Sequence, residues 1–182
     1  KSTQIRALLG QAPLSNVIVA FSLTPEPAAV ALEHKAPSVA KRINAMTQLA
    51  QNGWRLGLRF DPLLDDVRFE EHYQSLFRDI FDRIDPACIH SITIGPFRMP
   101  GSFFSNVVRL HPDEPLLAGS FANRDGLITY PKEREAAMLA FCLDELRAHV
   151  SGDKILSCAV DGRDTVRADT ESINLGFRSS SH

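Results

Sequence analysis

Cysteine is scarce. The 182 residues hold three, Cys88, Cys142 and Cys158, an odd number with neither metal-ligand nor redox spacing. That excludes a disulfide scaffold and fits a reducing cytosol. No apolar run approaches the roughly 20 residues needed to cross a bilayer, so no membrane partner is expected and the expected compartment is the cytoplasm. An excess of charge is also missing. Twenty basic residues stand against 22 acidic ones, a net of −2, which excludes a strongly basic nucleic-acid coat while leaving room for a local basic cleft. There is no GxGxxG, Walker loop, HExxH or GxSxG. The six histidines have no metal-ligand spacing, and no metal ligand is assigned in this chain. What remains is an ordinary globular composition, 44% hydrophobic and 23% charged, which fits one domain or a large piece of one. The chain opens on Lys1 without a signal-peptide pattern and reaches its first strong strand at Val17. An N-terminal part is expected to lie upstream.

The order of elements suggests the fold class. Val17 to Leu23 reads VIVAFSL, a near-continuous apolar strand of the kind covered on both faces. Ser38 is a candidate N-cap for a helix whose face carries Val39, Ile43, Met46, Leu49 and Ala50, and Asn52-Gly53 stops it. Trp54 to Phe60 is the next strand, ended by Pro62. A helix from about Val67 to Ile84 carries a wide aromatic stripe, and Cys88 to Ile94 is a third strand. Strands beginning at 17, 54 and 88 with helices between them give the rhythm of a parallel sheet with right-handed crossovers.

Further on, Ser102 to Leu110 reads as a short helix, and Leu116 to Tyr130 as a strand pair around Asn123-Arg124-Asp125-Gly126. Pro131 opens a helix to about Val150, and Lys154 to Val160 is a last strand. Residues 161–182 are polar and are expected to form a mobile tail, leaving 1–160 as the folded unit. In such sheets chemistry gathers at the C-terminal ends of the strands. The polar residues there are Ser22, Thr24, Arg59 and Asp61, with Arg98 just beyond Gly95.

An ordered set of short motifs carries more. Ser22-Leu23-Thr24, Glu33-His34, Pro37, Arg42 and Ala45, Gly53-Trp54, Gly57 and Phe60-Asp61-Pro62 follow one another. Gly95-Pro96-Phe97-Arg98, then Asp125-Gly126 with Tyr130 and Arg134, then Leu156-Ser157-Cys158 complete the set. This set resembles the radical SAM family of spore photoproduct lyases and their DNA-photolyase-like relatives, over about residues 1 to 160.

The resemblance implies an α/β fold, the C-terminal part of a partial (β/α)6 TIM-like barrel with a hairpin and a C-terminal helix. It implies S-adenosylmethionine as cofactor and a [4Fe–4S] cluster bound by a CxxxCxxC loop in the N-terminal half. The implied reaction is the splitting of thymine photodimers in DNA by a 5′-deoxyadenosyl radical, with an electron donor for the cluster. Catalytic residues would lie upstream of Lys1, and the chain alone is expected to be inactive. Lys1, Ser22, Thr24 and Asp61 fall on cofactor-facing positions, Thr24 standing where the family has Asn. Arg98 and Tyr130 fall on substrate-facing ones. Leu127, Ile128 and Thr129 stand where the family usually has K-x-R, so two positive charges are lost from the hairpin.

Each candidate also has an ordinary role. Lys1 is a chain end, Ser22 can cap a strand end, Asp61 before Pro62 starts a turn, and Arg98 can pair with Asp61. Tyr130 can pack in the hairpin, and Glu33-His34 can form a loop contact or bridge. Rival functions are a radical SAM relative with another substrate, a non-catalytic α/β interaction domain, and an acid/base barrel enzyme using Asp61 and Glu33. A partial barrel leaves sheet edges unpaired. The isolated chain is therefore expected to aggregate, dimerise, or cover an edge with the 116–130 hairpin.

Overall fold

A computed structural model describes residues 2–158 and the backbone of 165–167. Four parallel strands form the main sheet: β1 (Ile18–Ser22), β2 (Arg55–Leu63), β3 (Ile89–Pro96) and, following several elements later in the chain, β7 (Ile155–Cys158), side by side in that order. A short β8 (Thr165–Arg167) pairs antiparallel with β7. The rest of the expected tail, and Ala159 and Val160 of the last expected strand, lie outside the described residues. The fold class is as the sequence implies, an α/β layer with a parallel sheet, helices and a hairpin.

Capping chemistry sets the helix ends. Helix α1 (Arg6–Leu9) is held by the Trp54 indole N–H, which donates to the Leu8 carbonyl at 3.2 Å. Helix α3 (Val39–Gln51) starts where the Ser38 hydroxyl accepts from the Lys41 N–H. It ends in a Schellman pattern. The Trp54 N–H reaches the Leu49 carbonyl, the Gly53 N–H reaches the Ala50 carbonyl, and Gly53 takes φ +82°. Helix α4 (Phe69–Phe81) buries Phe69, Tyr73, Leu76, Phe77 and Ile80, the expected stripe. Helix α6 (Lys132–Arg147) packs on β3 and α4.

Helix α2 (Glu26–Leu32) was not expected between β1 and Ser38. Proline suits a helix's first turn, where Pro27 stands, and Ala28 and Ala29 are buried. Strand β2 also continues past Pro62, through a cis Asp61–Pro62 peptide, to Leu63. Pro62 lies in the irregular stretch between the pairs Phe60↔Ile94 and Leu63↔Pro96. A residue with no N–H to donate is tolerated there.

Period-2 alternation divides the sheet. Phe21 and Leu23, Leu56, Leu58 and Phe60, Ile92 and Ile94, and Ile155 share one core with the helices. On the opposite face Ile18, Ala20, Arg55 and Arg59 are exposed. Strand β1 therefore departs from the two-faced burial its apolar run suggests. Among the described residues only one face of the sheet is covered.

A second sheet has the order β4-β6-β5, with β4 (Arg98–Pro100), β5 (Ala122–Arg124) and β6 (Leu127–Thr129) antiparallel. Helix α5 (Gly101–Leu110) follows β4. The hairpin loop is Asp125-Gly126, with φ +51° and +83°, positive at both positions as a type I′ turn requires. The hairpin builds this separate sheet with β4 and, among the described residues, pairs with no edge strand of the main one. Gly126 has no atom within 4 Å of the position a Cβ would take. Gly126→Ala is therefore expected to cost about 1–2 kcal/mol through backbone conformation alone, read as a lower urea midpoint. An unchanged midpoint would contradict the turn geometry.

Candidate functional site at the strand ends

Ser22 closes β1 and is paired in register with Arg59, which is paired with Thr93. Asp61 is two residues beyond Arg59 and shares its face. At the same level lie Gly95 on β3 and Cys158 on β7. A Cβ on Gly95 would stand 3.0 Å from Arg98 Nη1, 3.2 Å from Cys158 Cβ and 3.3 Å from Asp61 Cγ. The missing side chain thus lets Asp61, Arg98 and Cys158 close over the sheet. Arg98 meets Asp61 as a fork, Nη1 to Oδ1 at 3.2 Å and Nη2 to Oδ2 at 3.0 Å, and its Nη1 also donates to the Pro96 carbonyl. Both side chains are partly exposed, 33% and 26%, so the pair contributes little to stability. Its geometry instead fixes the position of a carboxylate at the strand ends.

The Ser22 end is set from behind. Arg42, 1% exposed, donates through Nη1 to the Ser22 carbonyl at 3.2 Å and through Nε to the Pro37 carbonyl at 2.9 Å. Its Nη2 pairs with Glu33. Glu33, read from the sequence as a bridge or loop contact, is that bridge. Thr24 is 6% exposed, while Ser22 is half-buried. Lys1 lies outside the described residues.

Tyr130 is 3% exposed. Its ring stacks on Phe121 at 5.3 Å and neighbours Phe97 at 6.1 Å. Its hydroxyl accepts from the Asp65 N–H at 2.9 Å, as the Tyr73 hydroxyl accepts from the Leu64 N–H. The two phenols thereby hold the loop after β2 against α4 and the hairpin. Sequence reasoning missed these loop anchors, because a tyrosine's partner 65 residues away leaves no local signal. It also missed Gly95, whose role exists only once Asp61, Arg98 and Cys158 surround it.

Burial pushes the Tyr130 phenol up to about 12, and raises that of Tyr73 well above its usual range. An unfolded tyrosine ionises near 10 while the buried ones stay neutral. The stability they contribute is thus complete below about pH 10 and is lost as the pH rises toward 12. Alkaline titration is expected to show two phenols that ionise only with unfolding. Two phenols titrating freely near pH 10 in folded protein would contradict this burial.

No family model and no curated protein sequence matches the chain. Solved structures do. A cysteine-to-alanine mutant of spore photoproduct lyase superposes with a TM-score of 0.68 at 16% identity, covering 82% of this chain and 46% of that one. A double mutant of the same enzyme, with bound AdoMet and dinucleoside spore photoproduct, gives 0.64 at the same identity and coverage. Spore photoproduct lyase complexed with dinucleoside spore photoproduct gives 0.65. The chain thus spans less than half the length of these enzymes. At this identity the likeness is one of fold: a parallel sheet with helices and a hairpin, shared with spore photoproduct lyase.

Proposed function

We propose that the chain forms the cofactor- and substrate-facing sheet of a radical SAM lyase that repairs DNA photolesions. The observation that carries this reading is the convergence of Ser22, Asp61 and Arg98 at one end and one face of the sheet. The fold likeness to spore photoproduct lyase supports the same reading.

The residues present suit S-adenosylmethionine. The molecule offers an ammonium, a carboxylate and a ribose diol. Asp61 can accept from the ammonium or the diol, the Ser22 hydroxyl can donate or accept, and Arg98 can donate to the carboxylate. Lys1 would add a second cation. When bound and reduced, the cofactor supplies a 5′-deoxyadenosyl radical. This chain's part is to bind and orient: the Arg98 fork holds Asp61, and Arg42 holds the Ser22 strand end. An iron–sulfur cluster does not fit the described residues, among which no three His, Cys, Asp or Glu side chains could hold a metal. No step is assigned to it here.

The complete protein, reconstituted with iron and sulfide under reduction, is expected to form 5′-deoxyadenosine from S-adenosylmethionine. Asp61→Asn is expected to weaken cofactor binding about tenfold, roughly 1.4 kcal/mol, through one charge-assisted hydrogen bond. Absence of 5′-deoxyadenosine overturns the enzyme reading. A second reading, a relative acting on another substrate, is favoured by the hairpin, where Leu127 and Thr129 stand at the family's basic positions and Tyr130 is buried. Binding of photodimer-containing DNA that does not strengthen as salt falls would select it.

A further inference from the structure

A concavity beside the loop after β2 shares no lining residue with Ser22, Asp61 or Arg98. Ala28 and Ala31 of α2 form one wall, Val67 of the loop after β2 a second, and Pro115 and Leu116 a third. It encloses about 700 Å³, within the ~300–1,000 Å³ usual for small-molecule sites. Val67 at its lip is 102% exposed, an apolar surface that a ligand's apolar body would remove from water. The polar lining is sparse and biased. Asp65, Asp66 and Glu114 stand against Arg134 and His72, so carboxylates outnumber cations even with the imidazole protonated.

The cations are already engaged. Arg134 donates to both Asp65 oxygens at 3.0 and 2.6 Å and lies 5.3 Å from the Phe69 ring centre. His72 Nδ1 is 2.9 Å from Asp66 Oδ2. Glu114 commits Oε1 to the Leu116 N–H at 3.3 Å, which leaves a carboxylate ample capacity to accept more. An anion entering here meets surplus negative charge and no uncommitted guanidinium. A cation meets acceptors above an apolar floor.

We propose that this groove binds a small organic cation. Its aromatic or aliphatic body lies on Ala28, Ala31, Leu116 and Val67, and its ammonium or amidinium group donates to Glu114 on the rim. The site does not depend on the lyase reading and stands or falls separately from it.

The test is amide chemical-shift titration of the whole chain with benzamidinium, and with benzoate as the anion of like shape. Saturable shifts confined to residues 27–31, 65–67 and 114–120 are expected with benzamidinium, and binding of benzoate at least about tenfold weaker. Glu114→Gln keeps the bond to the Leu116 N–H and is expected to weaken benzamidinium about tenfold without weakening benzoate. Ala31→Trp fills the groove and is expected to abolish the shifts with the spectrum still dispersed. Glu114→Gln decides the matter if that variant fails to fold. Equal binding of both ions, shifts scattered over the surface, no saturable shift, or no effect of Glu114→Gln would each overturn the proposal.

Discussion

Arg42→Ala is expected to lower the unfolding free energy by about 3–5 kcal/mol, the usual effect of removing one partner from a buried ion pair. The guanidinium is 1% exposed and serves three elements at once. It pairs with Glu33 after α2, donates to the Pro37 carbonyl before α3, and donates to the Ser22 carbonyl at the end of β1. Alanine strips the Glu33 carboxylate, 9% exposed, of this counter-charge and takes one donor from each of two half-buried carbonyls. For a domain whose whole stability is about 5–15 kcal/mol, that is a large fraction. Urea unfolding measures it, with the midpoint expected to fall and the slope to hold. Arg42→Lys is expected to recover only part of the loss, because an ammonium cannot reproduce the fork. A change under about 1 kcal/mol would mean that the site is solvated, as surface pairs are.

Glu135→Ala is expected to have an effect of similar size but confined to one region. Glu135 sits on α6, 6% exposed, and accepts from the Thr129 hydroxyl on β6 and from Arg124 Nη2 on β5. The Thr129 hydroxyl also lies 2.7 Å from the Phe97 carbonyl, just before β4. One carboxylate thus joins two strands of the small sheet to the helix, and Thr129 links them on to the residue before the third. Removing it leaves the half-buried Arg124 without that charge partner, at a cost of up to about 3–5 kcal/mol. The main sheet shares none of these contacts, so the loss is expected as local opening. Amide exchange should accelerate at least about a hundredfold, equivalent to some 2.7 kcal/mol, over 122–129 while the strands from 55 to 63 and 89 to 96 stay protected. Uniform acceleration across both sheets would show that the hairpin and the main sheet open as one unit.

Both variants concern contacts that were hard to read along the chain, because each joins groups on separate elements that only packing brings together. Helix α3 was legible to within a residue at each end, because Ser38 and Gly53 write its caps locally. The hairpin turn was legible because Asp125-Gly126 supplies positive φ at adjacent positions. The aromatic stripe of α4 repeats at helical spacing, and Tyr73 and Phe77 are buried as that spacing implies. Strand β4 was not legible. It has three residues, one of them proline, and exists only because Leu127–Thr129 lies beside it. Nor was the one-sided burial of β1, since an apolar run reads the same whether one layer or two will cover it.

For the candidate site, the types and order of Ser22, Asp61 and Arg98 were in the sequence, as was the chance that Arg98 would meet Asp61. Their common face was not. It follows from the register Ser22↔Arg59↔Thr93 and from the space that Gly95 leaves for the Asp61–Arg98 fork.

The chain's own text determined what short-range physics governs: helix caps, turn signs, period-2 and period-3.6 burial, and the parallel α/β rhythm. The tertiary structure alone decided which charged groups are buried together, which glycine makes room for a carboxylate, and which face of the sheet stays open. Those outcomes depend on distances between residues tens of positions apart, and such distances are fixed only when the strands align and the helices choose a side.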